Sequence, residues 1–430
     1  MAETRYRSRM LDGLLTELLA ELPAVMVTGP RAGGKTTTAA RHAASVVRLD
    51  RALEAEAFRA DPDVALREYE EPILLDEWQE EPGVLGAVKR AVDVDPRPGR
   101  FLLTGSVRAE LDAATWPGTG RVVRVAMYGM TVREQLGRAE GPTLLDVLAA
   151  GDVPSVPRDP PDLRGYVELA LRGGFPDPAL RMTERARTRW LDGYVEQLLT
   201  SDARSIDQGR DPARLGRYLE AYALNTAGIA ADATLIEFAG VNRRTAVAYE
   251  RLLTNLFVVD ALGAWSSNRL KRLSKARKRH LVDPALIASI LQLDAGAVLR
   301  DGDLLGRVLE SFVVAQIRAE LPLCASRPRL YHLREEHGRH EVDLIAELGA
   351  GKLVAFEVKA GAADLRAVRH LTWLRERLGE RFARGVVLHT GPRAYELDDR
   401  IIALPICALW GYRSAGTPVA REPPRPPNVP

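Results

Sequence analysis

The stretch GPRAGGKT, residues 29–36, decides the fold of the first part of the chain. It fits the pattern G-x-x-x-x-G-K-[ST], in which glycines allow main-chain N–H groups to turn towards phosphate oxygens. The apolar run before it (24–29) predicts a buried strand, and the run after it, to about residue 44, predicts a helix whose N-terminus favours anions. The predicted phosphate-binding residues are Gly29, Pro30, Arg31, Ala32, Gly33, Gly34, Lys35, Thr36 and Thr37.

Side chains in and beyond this stretch suit the chemistry of a nucleoside triphosphate. Lys35 can reach the β- and γ-phosphates, and the hydroxyl of Thr36 can bind Mg²⁺. The run PILLDE (72–77) ends an apolar strand in Asp76, which we expect to hold Mg²⁺, and Glu77, which we expect to orient the attacking water. This acidic pair favours ATP hydrolysis over phosphate transfer to a small molecule. The alternative is a solvated acidic strand end.

Alternating strand and helix patterns follow the phosphate-binding stretch. A further strand, RFLLTGS (100–106), ends in Thr104 and Ser106, and we expect the Ser106 hydroxyl near the γ-phosphate, with ordinary turn chemistry as the alternative. Strands separated by helical runs predict a parallel α/β sheet. The other predicted elements of this domain are helices over 6–21 and 51–70 and strands over 45–50 and 121–129.

The composition is that of a globular protein with several cores. The chain has 430 residues and is 46% hydrophobic and 27% charged, which excludes a mostly disordered chain or a fibre. We expect no membrane helix and no signal peptide, because no apolar run is long enough and acidic residues interrupt the N-terminal leucines. The two cysteines, Cys324 and Cys407, cannot form a disulfide framework, so a reducing cytoplasm is expected.

Residues 231–262 have the pattern of a helix-turn-helix. Gly240 breaks an apolar helical stripe, Asn242 is a plausible N-cap, and a strand-like run that follows would be a wing. Ten Lys and Arg residues face two acidic residues between 241 and 280, which favours contact with a phosphate backbone; a solvated basic loop or a protein-contact surface is the alternative. The candidate DNA contacts are Arg243, Arg244, Lys271, Arg272, Lys275 and Lys278.

Residues 305–405 have the order α-β-β-β-α-β, which resembles the core of the restriction-endonuclease-like fold. Its signature, D-x(n)-E-x-K, is matched by Asp343, Glu357 and Lys359, and Glu310 on the helix is the fourth member that the resemblance implies. Carboxylates at Glu310, Asp343 and Glu357 would bind Mg²⁺, and Lys359 would position the nucleophile of a nuclease. A degenerate domain that only binds is the alternative.

The sequence as a whole resembles bacterial AAA-type ATPases that carry a C-terminal domain of unknown function. The resemblance rests on GPRAGGKTT, LLDE, RFLLTGS and VRVAMYGMTVREQL, with a partial match of MYGMTVRE (127–134) to the phrase L-x-P-L-[ST]-x-x-E, and on the turn RGGFPD (172–177). It implies ATP and Mg²⁺ as ligands, a winged-helix segment and self-association. The candidates for an arginine finger are Arg108, Arg121 and Arg124.

These patterns predict an α/β protein that hydrolyses ATP and couples hydrolysis to duplex DNA or to a protein partner. Two alternatives stay open, a nucleotide-switched DNA-binding regulator with little turnover and an ATP-gated, metal-dependent nuclease. The predicted organisation is a P-loop NTPase domain (1–140), a Pro/Gly-rich connector (141–184), a helical winged-helix-like domain (185–300), a restriction-endonuclease-like α/β domain (301–412) and a disordered Pro-rich tail (413–430).

Overall fold

A computed structural model describes most of the chain, and its residues form two compact units. The first unit comprises residues 1–140, 174–183 and 247–259, and the second comprises 141–173, 184–246 and 260–430. No helix in the described ranges is long and apolar enough to cross a membrane. The described residues are 6–107, 120–202, 211–268, 270–272, 275–335, 339–363, 365–411 and 420–421.

Helices and strands alternate along most of the first 130 residues, and the regular elements of the last hundred residues are mainly strands. The helices are α1 (Leu11–Glu21), α2 (Lys35–Ala39), α3 (Ala52–Ala60), α4 (Pro62–Ala65), α5 (Val84–Val94), α6 (Val132–Gln135), α7 (Leu144–Ala149), α8 (Leu163–Arg172), α9 (Pro176–Arg181), α10 (Glu184–Gln197), α11 (Pro212–Leu224), α12 (Asp232–Ala239), α13 (Arg243–Asn255), α14 (Ala285–Leu291), α15 (Ala295–Arg300), α16 (Gly302–Glu320) and α17 (Leu365–Leu378). The strands are β1 (Ala24–Thr28), β2 (Ser45–Arg48), β3 (Ile73–Asp76), β4 (Phe101–Gly105), β5 (Val123–Ala126), β6 (Val259–Ala264), β7 (Lys278–Leu281), β8 (Arg329–Glu335), β9 (His340–Glu347), β10 (Leu353–Lys359), β11 (Phe382–His389), β12 (Tyr395–Asp398), β13 (Ile401–Pro405) and β14 (Ala420–Arg421).

The first unit is built on a five-stranded parallel sheet in the order β2-β3-β4-β1-β5. Strands β1, β3 and β4 are buried at every position, as expected when both faces of a parallel sheet are covered. The predicted P-loop sheet is therefore confirmed. Since β4 lies between β1 and β3, its C-terminal hydroxyls meet both the phosphate-binding loop and the acidic pair after β3.

Two predicted helices of this unit have different bounds in the structure. Helix α1 begins at Leu11, not at residue 6, because side chains hold the N–H groups that precede it: Arg9 N–H donates to Asp12 at 2.9 Å. The helix predicted over 51–70 is divided at Asp61, which caps α4 with its side chain ahead of Pro62. Proline at the first position of a helix starts a new helix more readily than it continues an old one.

The second unit contains a nine-stranded mixed sheet in the order β14-β12-β13-β11-β10-β9-β8-β6-β7. Its centre follows the predicted order, since α16, β8, β9, β10, α17 and β11 succeed one another along the chain. One apolar core, which includes Leu333, Phe382 and Leu371, lies between this sheet and α17. Strands β6, β7, β12 and β13 extend the sheet beyond the prediction, while the restriction-endonuclease-like assignment itself stays a prediction.

The predicted turn between two helices is present in the middle of the chain. Gly240 ends α12 with a left-handed φ of 61°, and the Asn242 side chain accepts the Thr245 N–H at 2.9 Å, as expected of an N-cap. The strand expected as a wing is β6, which pairs with β8 and so continues the C-terminal sheet. The winged-helix assignment stays a prediction.

Two segments that the composition assigned to a connector and a tail contain regular structure. Helices α7, α8 and α9 lie within 141–184, and the leucines of α7 are buried because they pack in the second unit. Apart from β14, the predicted tail lies outside the described residues, as does Arg108. Cys324 and Cys407 are both free and buried.

Candidate functional site

The loop between β1 and α2 requires glycine at two positions. A Cβ at Gly29 would lie 1.9 Å from the carbonyl oxygen of Met127, so no larger residue fits beside β5 there. Gly34 has a φ of 90°, which is unfavourable for residues with a side chain. The first-turn N–H groups of α2 lack acceptors within the helix, so the loop and the helix start offer donors to an anion.

Lys35 is the buried cation of this loop. Its Nζ atom donates to the Pro30 carbonyl oxygen at 2.9 Å and to Ser106 Oγ at 3.2 Å. Burial lowers the pKa of Lys35 to about 8, although the carboxylates of Glu77 and Asp76 oppose this effect. An additional anion next to the ammonium group would restore its ordinary pKa, so the site is electrostatically prepared for a phosphate.

Asp76 lies where a magnesium ligand was expected. Its Oδ1 atom accepts the Thr36 hydroxyl at 2.7 Å and also accepts the Thr104 hydroxyl. Burial raises the pKa of Asp76, and the two hydroxyl donors counter this effect. The Thr36 hydroxyl and the Asp76 carboxylate therefore lie side by side at the carboxyl ends of the strands.

Glu77 is linked to Lys35 through the hydroxyl group of Ser106, which forms hydrogen bonds with both side chains. The Ser106 hydroxyl donates to Glu77 Oε1 at 2.9 Å, and the Gln79 side-chain amide donates to the same carboxylate. Glu77 itself has a φ of 54°, a left-handed conformation that is uncommon for a residue with a side chain. The structure thus brings together the predicted Lys35, Glu77 and Ser106.

The residues present suit ATP and Mg²⁺. Thr36 and Asp76 supply the oxygen atoms that Mg²⁺ prefers, and Lys35 supplies a buried positive charge for phosphate. Within the described residues no group of three or more His, Cys, Asp and Glu side chains could hold a metal alone.

A proton should be taken up when MgATP binds at alkaline pH. With a pKa of about 8, roughly half of Lys35 is neutral at pH 8, whereas bound triphosphate requires the ammonium form. We expect uptake of about half a proton per site at pH 8 and close to none below pH 7. Calorimetry in two buffers with different ionisation enthalpies measures this number. Lys35→Arg, which stays charged, should show none, and equal enthalpies for the native protein in both buffers at pH 8 would contradict the prediction.

Sequence reasoning missed Arg9, which supports the phosphate-binding loop. This buried guanidinium donates to the Gly33 carbonyl oxygen at 2.9 Å and to the Tyr128 carbonyl oxygen at 2.8 Å, and it pairs with Glu134 at 2.9 Å. Glu134 also accepts the Met10 N–H at 2.8 Å. The signal was present in the partially matched phrase MYGMTVRE, whose last residue is this glutamate.

The turn RGGFPD has a comparable supporting role. The Gly174 carbonyl oxygen accepts the Met130 N–H at 2.6 Å, and a Cβ on Gly129 would lie 3.1 Å from the Gly174 backbone. A Cβ on Gly34 would lie 3.3 Å from the side chain of Pro176. MYGMTVRE and RGGFPD, two of the phrases on which the family resemblance rests, therefore pack against each other and close to the phosphate-binding loop.

Replacing Arg9 by alanine should weaken MgATP binding while the chemical step changes less. The variant removes the donors that hold Gly33 and leaves Glu134 buried without its cation, so we expect a KM increase of about 10-fold and a kcat change below about 3-fold. Steady-state phosphate release measures both constants. Arg7→Ala is the control, and an Arg9→Ala enzyme with an unchanged KM would show that the contact is not needed.

The predicted nuclease residues also meet, but two lysines lie among them. Lys278, a buried residue of β7, places its Nζ 2.6 Å from Glu310 and 3.3 Å from Asp343. Lys359 pairs with Glu357 at 2.8 Å. The main-chain N–H of Val358 donates to the other Asp343 oxygen at 3.0 Å.

Burial and the neighbouring charges act in opposite directions on the pKa values of Glu310 and Lys278. Burial raises the pKa of Glu310 to about 8, and the Lys278 ammonium acts against this effect. Burial alone would lower the pKa of Lys278, but attraction to Glu310 and Asp343 outweighs it and the pKa is raised. An ammonium group thus lies between two carboxylates that we expected to bind Mg²⁺. We therefore correct the prediction for Lys278, which is an internal counter-ion and not a surface contact for DNA.

The other candidate DNA contacts fall into three groups. Arg243 and Arg244 are exposed in the first turn of α13. Lys275 pairs with Glu335 at 3.4 Å, and Arg272 makes a two-pronged pair with Glu347, so both are partly engaged. The side chain of Lys271 lies outside the described residues. Of the arginine-finger candidates, Arg121 pairs with Asp93 at 2.8 Å, and burial lowers the pKa of Arg124.

Comparisons with known proteins agree with the predicted N-terminal AAA domain and with a separate C-terminal domain. Family models match an AAA domain over residues 21–136, a domain of unknown function (DUF8612) over 163–297 and another (DUF4143) over 305–409. Uncharacterized proteins of Mycobacterium tuberculosis and Mycobacterium bovis are 29% identical over 397 residues, which is 91% of this chain and 82% of each of theirs. A Walker-type ATPase of Pyrococcus abyssi aligns with 14% identity and a TM-score of 0.42 over 68% of this chain and 99% of that chain. The predicted combination of an AAA domain with a C-terminal domain of unknown function is confirmed.

Proposed function

We propose that this chain, which matches family models for an AAA domain over residues 21–136 and for a domain of unknown function over residues 305–409, binds ATP with Mg²⁺ and hydrolyses it. The observation that carries the proposal is the pair of hydrogen bonds at Ser106, which joins the Lys35 ammonium to the Glu77 carboxylate. The candidate phosphate-binding cation, Lys35, and the candidate base, Glu77, are thereby both hydrogen-bonded to the Ser106 hydroxyl.

Each residue has a role that follows from its contacts. The loop N–H groups and Lys35 would bind the β- and γ-phosphates, and Thr36 and Asp76, whose oxygens lie 2.7 Å apart, would hold Mg²⁺. Bound Mg²⁺ would offset the charge that develops on the phosphate oxygens. Glu77 accepts a hydrogen bond from the attacking water and directs it towards the γ-phosphate. Ser106, which hydrogen-bonds both Lys35 and Glu77, keeps the cation and the base in place.

Phosphate release from MgATP is the direct test. It should be measured with and without duplex DNA and at several protein concentrations, so that catalysis, coupling to nucleic acid and self-association are reported together. Turnover that depends on Lys35 and Glu77 supports the proposal. If calorimetry detects no MgATP binding to folded protein, the proposal fails.

A nucleotide-switched duplex-DNA regulator is the second candidate function. It is favoured by the exposure of Arg243 and Arg244, which begin α13 immediately after the cap at Asn242. Such a protein would bind MgATP tightly with little single-turnover hydrolysis. A nuclease is a weaker proposal, because the Lys278 ammonium group already pairs with both Glu310 and Asp343.

A further inference from the structure

The second unit carries a groove whose lining includes five arginines. It has a volume of about 960 Å³ and is bordered by β6, the start of β8 and the turn between β9 and β10. Among the described residues that line it, Glu347 is the only acidic one. The arginines that line it are Arg272, Arg277, Arg327, Arg329 and Arg381.

The single carboxylate is already neutralised inside the protein. Arg272 donates from Nη1 to one Glu347 oxygen at 2.7 Å and from Nη2 to the other at 2.9 Å. The same guanidinium carbon lies 4.9 Å from the centre of the Tyr331 ring. Arg272 and Glu347 therefore form part of the groove wall, and the charge that the groove presents comes from the other arginines.

The remaining arginines are available to a ligand. Arg277, Arg327 and Arg329 are exposed, and in the described part of the chain their side chains have no ion-pair partner. Arg381 is 46% exposed, donates from Nε to the Gly351 carbonyl oxygen at 3.1 Å, and reaches Glu347 only at 4.0 Å. A guanidinium carries several N–H donors in a planar fork, which suits the oxygens of a phosphate.

We propose that this groove binds the phosphodiester backbone of a single-stranded nucleic acid. The groove has the volume of a site for a small organic ligand, which suits a few nucleotides of one strand better than the full width of a duplex. The half-buried Tyr331 ring, over which the Arg272 guanidinium lies, forms part of the groove wall. A membrane surface fits less well, because none of the lining side chains is a large apolar group exposed for insertion.

The groove is separate from the carboxylate cluster. Glu347 follows Asp343 by four residues along β9, which places the two roughly 13 Å apart along the strand. The inference also differs from the candidate duplex contacts on α13 and does not depend on ATP hydrolysis. The proposed ligand of the second unit is therefore a single-stranded nucleic acid.

The test uses the full-length protein and fluorescence anisotropy of labelled 15-mers of oligo-dT and oligo-U and of a 15-bp duplex at 50–300 mM NaCl. The groove variant is Arg277→Glu/Arg327→Glu. The control is Arg164→Glu/Arg214→Glu, which makes the same charge change at exposed positions early in α8 and α11. We expect the groove variant to bind single strands at least about 10-fold more weakly at 100 mM NaCl, with the slope of log K against log[salt] reduced by about 1.4, and the control to stay within about 2-fold of the native protein.

The outcomes separate this proposal from others. The proposal is supported if the groove variant, but not the control variant, loses affinity for oligo-dT or for oligo-U. Comparing the affinities for the two oligonucleotides shows whether the groove prefers DNA or RNA. Equal losses in both variants, no binding of single strands by the native protein, or tighter binding of the duplex would overturn it. Binding to anionic-lipid vesicles that the groove variant loses, without single-strand binding, would assign the groove to a membrane. MgATP calorimetry on the same variants should be unchanged, so a failed ATPase proposal is recognised independently.

Discussion

Replacement of Lys35 by alanine should abolish detectable ATP turnover. The side chain is buried and supplies the positive charge of the phosphate-binding loop, through contacts with the Pro30 carbonyl oxygen and Ser106. Loss of one preorganised donor to developing charge typically costs a factor of about 10² to 10³, and loss of ground-state binding adds to it. We expect kcat/KM for phosphate release to fall at least about 1000-fold.

The control for this variant is Lys89→Ala, which removes a lysine from the exposed face of α5 where it pairs with Asp93 at 3.4 Å. It should leave turnover within about 2-fold of the native value. Thermal unfolding of both variants shows whether the sheet is intact. Native turnover in folded Lys35→Ala protein would refute the assignment of this loop to ATP.

Replacement of Glu77 by glutamine should separate binding from catalysis. Glutamine keeps the size of the side chain and its hydrogen bond with Ser106, but it loses the charge that orients and polarises water. General-base contributions are typically about 10² to 10⁴-fold, so kcat should fall by that factor. The affinity for MgATP should change by less than about 5-fold, since Lys35 and Thr36 are intact.

Glu80→Gln is the matched control, because it makes the same chemical change three residues away on an exposed side chain. Its kcat should equal that of the native protein. Single-turnover hydrolysis and MgATP calorimetry together measure the effect. If native and Glu77→Gln proteins both bind MgATP and neither hydrolyses it, the nucleotide-switched regulator replaces the ATPase as the better hypothesis.

The phosphate site could be predicted from the sequence because its residues are consecutive or end apolar strands. A parallel sheet brings strand ends to one edge, so Lys35, Asp76 and Ser106 had to meet once β1, β3 and β4 were recognised. Sites whose residues are close together in the sequence, or lie at the ends of recognisable strands, can be predicted without knowing which distant residues are in contact. The same holds for the cap at Asn242 and the break at Gly240.

Contacts between distant residues could not be predicted in this way. Arg9 and Glu134 are 125 positions apart, and although Glu134 ends the partially matched phrase MYGMTVRE, the sequence does not indicate that its partner is Arg9. Lys278 belongs to a basic run that favours the surface, yet it becomes buried because β7 joins the edge of the C-terminal sheet, beside Glu310 and Asp343. Charge patterning along the chain gives no information about which of several lysines will be buried.

The position of the Lys278 ammonium group has a consequence for metal binding. One side chain occupies the space between Glu310 and Asp343, while a third acid, Glu357, lies beside them with its own lysine. Exchange of that single lysine for a short neutral residue would leave a cavity surrounded by anionic oxygens, which is what a hard divalent ion requires. We therefore expect that a single substitution at Lys278 decides whether these buried acids face an internal cation or are open to one from solution.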